Sequence, residues 1–295
     1  MCDFKEVYID FEKLENTNRE SEFMSEITNM SNELYYNLIL LSGIRESEEL
    51  LSRKEAIICG LLLRAAKLFN SFMTLVVNRD SVGATFLYRG ITDCIIDMEI
   101  LIKRDDDELF EEFVRHSLYA EVKKIDTLEQ RIENREPLPI ERRMLSGCER
   151  DIIRSGYTLE EARSFPSPKK NKWKNLKSPD KISELGYEDM SLFGQNTGNN
   201  FIHSNWTTLL YQHLEYHEGG KYSPNYANDI IRPQLPLTIQ QLICDGAQAY
   251  ITYMFSSKEV IECLSNIFSR ALRKIVRIDE LHEAFLNKKA AHNKK

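Results

Sequence analysis

The feature that most constrains this chain is the stretch from Glu55 to Ile102. Two segments, Glu55–Val77 and Val82–Ile102, are apolar almost all round, and a single polar break, Asn78-Arg79-Asp80-Ser81, separates them. Arg64, Lys67, Ser71, Thr74 and Asn78 fall on one narrow stripe of the first segment. Thr85, Arg89, Asp93 and Asp97 recur at steps of four on the second. Those steps are the helical period. Helices with so little polar surface belong at the centre of a fold. The polar break supplies a turn and an N-cap, and so short a turn makes the two helices antiparallel neighbours. The expectation is an all-α protein, a helical bundle around a central antiparallel apolar hairpin.

The remainder agrees with long elements. Gly and Pro number 12 and 8 in 295 residues, roughly 7% against a usual share of about 12%. Glu20 to Leu41 carries Phe23, Ile27, Met30, Leu34, Leu38 and Leu41 at helical steps, and Ser42-Gly43 ends it. Asp105 to Glu108 puts negative charge at the start of a helix bearing Leu109, Phe110, Phe113, Leu118, Val122 and Ile125, where the helix dipole favours it. Pro137 and Pro139 break that helix, and Glu141 to Arg154 forms the next. Thr158 and Glu161 have the spacing of a capping box. Ser164–Asp180, with three prolines and many lysines, reads as an exposed mobile loop. Ile182–Phe193 and Leu209–Tyr216 read as helical, Glu218–Pro236 as a loop, Leu237–Phe255 as a strong helix, and Lys258–Ala290 as a final helix or pair. No segment shows sustained strand alternation. The expected organisation is an N-terminal helical segment 1–52, a core helical domain 53–217 containing the mobile basic loop 164–180, and C-terminal helices 218–295 packing on that core as part of the same domain.

Charge and cysteine usage narrow the function classes. With 39 Lys and Arg against 46 Asp and Glu, the net charge of −7 argues against a broad electrostatic grip on nucleic acid. The six cysteines are scattered and never spaced as a CxxC pair, so no zinc site is expected and a reducing cytoplasm is the simplest compartment. The start Met1-Cys2-Asp3-Phe4-Lys5 has no signal-peptide pattern. The longest apolar run, Ala56–Leu63, falls short of the about 20 residues that span a bilayer, so no membrane partner is expected. No nucleotide-binding loop or metal set stands out, and no cofactor is expected.

Several polar groups merit a chemical reading. Arg89 and Asp93 sit one turn apart on a very apolar helix, where a charge must find a partner. Arg before Asp is the poorer order for such a pair, which leaves Arg89 as an internal clamp or as a fork for a ligand anion. His203 and Ser204 follow the turn-rich Gly194–Asn200. A histidine there can act as acid or base, hold a phosphate, or tie the turn to a helix. Arg89, Asp93, Asn199, Asn200, His203 and Ser204 together would make a polar anion-binding pocket. Lys169, Lys170, Lys172 and Lys174 around Trp173 have the basic and aromatic mix that single-stranded RNA uses, although a solvated loop is the commoner outcome. His213 and His217 have the spacing for one face of a helix without a third metal ligand, and Asp93, Asp97 and Glu99 have oxygen ligands for a hard cation. Arg277 and His282 match the spacing of the helical HEPN-type ribonucleases, a match that chance alone supplies about once in a chain with this many Arg and His. Residues five apart on a straight helix also point well apart.

Leu87-Tyr88-Arg89-Gly90-Ile91-Thr92-Asp93, the Phe110-x-x-Phe113 helix after its acidic start, and the Trp173 loop leading to His203-Ser204 resemble, in that order, a bacterial domain-of-unknown-function family, number 5677. The resemblance spans roughly Glu55 to Tyr216. It implies an all-helical bacterial protein with no established activity, and a setting among mobile-element and phage-defence genes. Two readings follow. One is a non-catalytic helical module that binds a protein partner, another copy of itself or a phosphate-bearing ligand. The other is a metal-independent, HEPN-like ribonuclease with His203 as acid or base, Arg89 holding developing charge and Asp93 orienting Arg89. Whether the polar stripes of the two apolar helices face each other discriminates between them.

Overall fold

The protein is described from a computed structural model, covering residues 4–166, 172–187, 206–227 and 231–292. Its described elements are helices apart from one small hairpin. The helices are α1 (Phe11–Asn16), α2 (Glu20–Gly43), α3 (Arg53–Val77), α4 (Ser81–Arg104), α5 (Asp107–Asn134), α6 (Pro139–Arg154), α7 (Leu159–Ser164), α8 (Lys172–Asn175), α9 (Ser178–Leu185), α10 (Trp206–Gln212), α11 (Gln234–Met254) and α12 (Lys258–His292). The all-helical class and the antiparallel α3–α4 pair are as the apolar periodicity predicts.

The ends of these helices follow from local chemistry. Ser52 accepts from the Glu55 amide while Glu55 reaches back to the Ser52 amide, closing a capping box on α3. Between α3 and α4, Arg79 takes a left-handed φ of 59°, and Asp80 accepts from the Gly83 amide at 2.8 Å. Asp106 caps α5, and Thr158 with Glu161 closes the capping box that their spacing predicts for α7.

Two compact units make up the chain: Met1–Ile102 with Ile182–Lys295, and Lys103–Lys181. This division cuts through the segment 53–217 expected to be one core domain. In the first unit, α3 packs on α2 and α11, and α11 packs along α12. Ile58, Leu62, Phe69 and Phe72 of α3 are buried, whereas Arg64, Lys67, Ser71 and Thr74 form its exposed stripe. By length and composition α3 is apolar enough to cross a membrane, a property the run Ala56–Leu63 alone understates. Helices α4 and α11 approach closely: a Cβ built on Gly246 would lie 2.8 Å from Ile95 Cγ2. Buried polar groups tie this unit together. The Gln240 amide donates to the Ile27 carbonyl and to Ser31, at 2.8 and 2.6 Å. The Asn37 side chain makes both hydrogen bonds to the Lys5 backbone. Glu33 accepts from the Val7 amide at 2.7 Å and from Lys274 at 3.4 Å.

In the second unit, Leu118, Val122 and Ile125 of α5 pack on Cys148 and Ile152 of α6 and Ala162 of α7. Arg135 grips Glu141 with two nitrogens, and Glu141 also accepts from the Leu138 amide, which closes the start of α6. Arg163 reaches both Asp126 and Glu129.

Two sequence expectations are corrected. Ser164–Asp180 is not a single loop, because α8 and the start of α9 lie within it. Trp173 is buried, 6% exposed, with the Lys181 ammonium 3.8 Å above its ring and Phe113 edge-on at 5.0 Å. The Lys181 ammonium over the indole is a cation–π contact on a buried tryptophan. The helix expected over Leu209–Tyr216 stops at Gln212. Leu214–His217 (β1) then pairs antiparallel with Lys221–Pro224 (β2), placing Tyr216 opposite Tyr222. Gly219 and Gly220 both take positive φ, which a turn this tight requires.

Candidate functional site on helix α4

Helix α4 carries polar groups on two sides with different surroundings. On one side Arg89 Nε lies 3.2 Å from Asp93 Oδ2, an i,i+4 ion pair. The two side chains are 27% and 41% exposed, so solvent shares the satisfaction of this arginine and it is not the fully buried charge its helix suggested. Among the described residues, its two terminal nitrogens make no hydrogen bond. One nitrogen is therefore fixed while the other two remain available as a fork. The charge of Arg64 on α3 is felt at the Cys94 thiol, one residue beyond Asp93. Burial raises the Cys94 thiol to about 11, with Arg64 pulling down and Asp97 and Asp93 pushing up.

On the other side Glu99 is 7% exposed. The Tyr187 hydroxyl donates to its carboxylate, 3.0 and 3.2 Å from the two oxygens. Burial pushes the Glu99 carboxyl up to about 7; the tyrosine bond draws it down and the Asp245 charge on α11 raises it again. Burial also raises Asp245. This arrangement keeps a proton on a carboxyl near neutral pH, a capacity sequence reasoning missed by grouping Glu99 with Asp93 and Asp97 as cation ligands. Two residues beyond Asp97 is the opposite side of a helix, and that angle was the available signal. Among the described residues no group of three metal-ligating side chains assembles.

The other candidates take separate places. His203, Ser204, Asn199, Asn200, Lys169 and Lys170 lie outside the described residues. Lys172 is exposed and pairs with Glu108. Trp206 is the exposed tryptophan, at 53%, edge-on to Tyr222 with ring centroids 5.2 Å apart. His217 is on β1, bonded to Ser223 at 2.7 Å, and the helical face expected to unite it with His213 is absent because the helix ends first.

Arg277 and His282 diverge. Arg277 is 48% exposed and pairs with Glu280. His282 is fully buried, with Nε2 3.0 Å from Glu20, and its ring stacks on Phe285 and meets Phe23 edge-on. A carboxylate only accepts, so Nε2 carries the proton. The pair joins α12 to the first turn of α2 and builds no common site with Arg277. Their separation in sequence, 262 residues, left no local signal.

A model of the family of unknown function DUF5677 matches residues 55–222, more than half of the chain. The chain belongs to this family. The region matched to DUF5677 holds Arg89, Asp93, Glu99 and Tyr187, whereas Asp245 and the His282 clamp lie beyond it. No curated protein and no solved structure matches the chain.

Proposed function

We propose that this member of DUF5677 is a non-catalytic helical binding module that takes an anionic group, phosphate or carboxylate, on the Arg89 fork. The observation that carries this reading is the one-nitrogen attachment of Arg89 to Asp93 on a half-exposed flank. Asp93 restrains the side chain without consuming it, which lowers the ordering cost of a two-pronged contact. Arg64 adds a second positive charge near the same flank. His203, Ser204, Asn199 and Asn200 are the further contacts expected of this pocket. The cellular setting we assign, bacterial stress or phage defence, rests on the resemblance described above. The divergence of Arg277 and His282 gives the ribonuclease alternative no second footing.

The test is thermal stabilisation of the full chain by inorganic phosphate, pyrophosphate and succinate. An anion that raises the melting temperature of the wild type, raises that of His203→Ala less, and leaves that of Arg89→Lys unchanged supports the fork. Equal stabilisation of Arg89→Ala and wild type overturns it.

A further inference from the structure

The arginines of α6 differ from three others in their unit. Arg115, Arg135 and Arg163 of the same unit are each committed to a carboxylate: Glu112, Glu141, and Asp126 with Glu129. Arg142, Arg143, Arg150 and Arg154 are exposed, and among the described residues none of them forms an ion pair. Three of them, Arg143, Arg150 and Arg154, are seven and four residues apart and therefore share one stripe. At a rise of about 1.5 Å per residue the row is roughly 16 Å long. Ser146 and Gly147 lie within it, so the surface between the arginines is low. The acids of α6 lie off the row: Glu141 is buried on Arg135, Glu149 is half-buried, and Asp151 is exposed on a flank. The segment Lys103–Lys181 holds 18 Lys and Arg against 17 Asp and Glu, in a chain totalling 39 against 46. Its charge balance is thus far less acidic than that of the remaining chain.

We propose that the Arg143–Arg150–Arg154 face of α6 docks the phosphodiester backbone of a nucleic acid. A straight row of unpaired guanidinium groups fits a regular line of phosphates, one per roughly 3.4 Å of each strand along a duplex axis, and arginine binds phosphate with two parallel N–H groups. Contacts of this type position a protein on the backbone without reading sequence. An anionic membrane fits less well. In-plane insertion needs a continuous apolar band, whereas exposed Ile140 and Met144 lie beside Asp151 and exposed Ile153 stands on the opposite border of the row. This inference is separate from the Arg89 reading, because no residue of α4 takes part.

The experiment is fluorescence anisotropy of the full chain with a labelled 20-base-pair RNA duplex (a length of roughly two helical turns) between low and physiological salt. The expected result is sequence-independent binding that weakens steeply with salt. Arg143→Gln/Arg150→Gln/Arg154→Gln should lose on the order of 10–100-fold affinity at low salt, and its log–log salt slope should flatten by about 2–3. The corresponding triple lysine variant keeps the charge and should keep the slope. Arg277→Ala, on α12 and outside both proposed sites, should bind as wild type does. If the triple variant fails to fold, Arg150→Gln alone should flatten the slope by nearly 1. Wild type that ignores the duplex, or a glutamine variant that binds it equally well, overturns the proposal. So does arginine-dependent binding to phosphatidylserine vesicles with none to RNA.

Discussion

Glu99 and Arg89 stand on the same helix, and the two sides of α4 treat charge in opposite ways. On the Glu99 side the carboxyl is buried between Tyr187 and the field of Asp245, and burial raises it to about 7. On the Arg89 side the charge keeps a quarter of its side-chain surface in solvent and spends one nitrogen on Asp93. The backbone helix is the same. Access to water decides whether a charged group becomes a perturbed acid held inside the fold or an available cation at its edge. The first kind reports on stability, and the second is positioned for a ligand.

The largest effect expected along this contrast comes from the core-facing stripe. Ile91 is fully buried, and Ile91→Asp places an unpaired charge where no partner waits. The loss should exceed about 4 kcal/mol and leave no cooperative thermal transition. Leu87 of the same helix is only half-buried, so Leu87→Asp should retain a transition at reduced temperature. Equal damage from both would erase the two-sided picture of α4.

Glu99 sharpens the comparison through pH. Its carboxyl is raised to about 7 from an ordinary 4.5. The unfolded chain therefore ionises this group first, and folding stability is fully present below about pH 4.5 and lost as pH rises through 7. Glu99→Gln removes the ionisation while its carbonyl can still accept from Tyr187. At pH 8 the variant should be more stable than wild type by roughly 2–4 kcal/mol, and near pH 5 the difference should shrink. Parallel melting curves at both pH values would count against the buried-acid assignment.

A packing variant probes the same inner side with no charge involved. Gly246→Ala would gain helix propensity on α11 but put a methyl 2.8 Å from Ile95 Cγ2 and 3.0 Å from its Cδ1. Ile95 is itself fully buried and has nowhere to retreat. Overpacking should win, with a net loss of about 1–3 kcal/mol in denaturant titration.

How much of this was legible in the sequence depends on distance along the chain. The α3–α4 pair and the Thr158–Glu161 box show in the sequence because their causes are local: period, turn chemistry and cap spacing. The β1–β2 hairpin escaped because four-residue strands are too short to display alternation, although Gly219-Gly220 between tyrosines carried the turn signal. Trp173 read as exposed because its neighbours are charged, and nothing local says that Lys181 will lie across its ring. The clamp of His282 on Glu20 and the contact of Glu99 with Tyr187 join residues far apart in sequence. Pairings of that kind are fixed by packing and not by pattern.

The smallest stability effect belongs to Arg89, and its smallness is the point. An exposed i,i+4 pair contributes about 0.3–0.5 kcal/mol, and less when the basic residue comes first. Arg89→Ala should therefore shift the denaturation midpoint by less than about 0.5 kcal/mol, close to the limit of measurement. A structural clamp on buried carbonyls would instead lose several hydrogen bonds and strand their acceptors, at about 1–3 kcal/mol. Arg89→Lys separates the cases further. Lysine retains the charge and can still reach Asp93, so stability stays near that of wild type under either account. It lacks the planar fork, so anion-dependent stabilisation should disappear if Arg89 receives a ligand. A marginal change in midpoint together with a lost phosphate response places Arg89 on the available side of α4. A drop of about 2 kcal/mol or more in Arg89→Ala would move it to the buried side with Glu99.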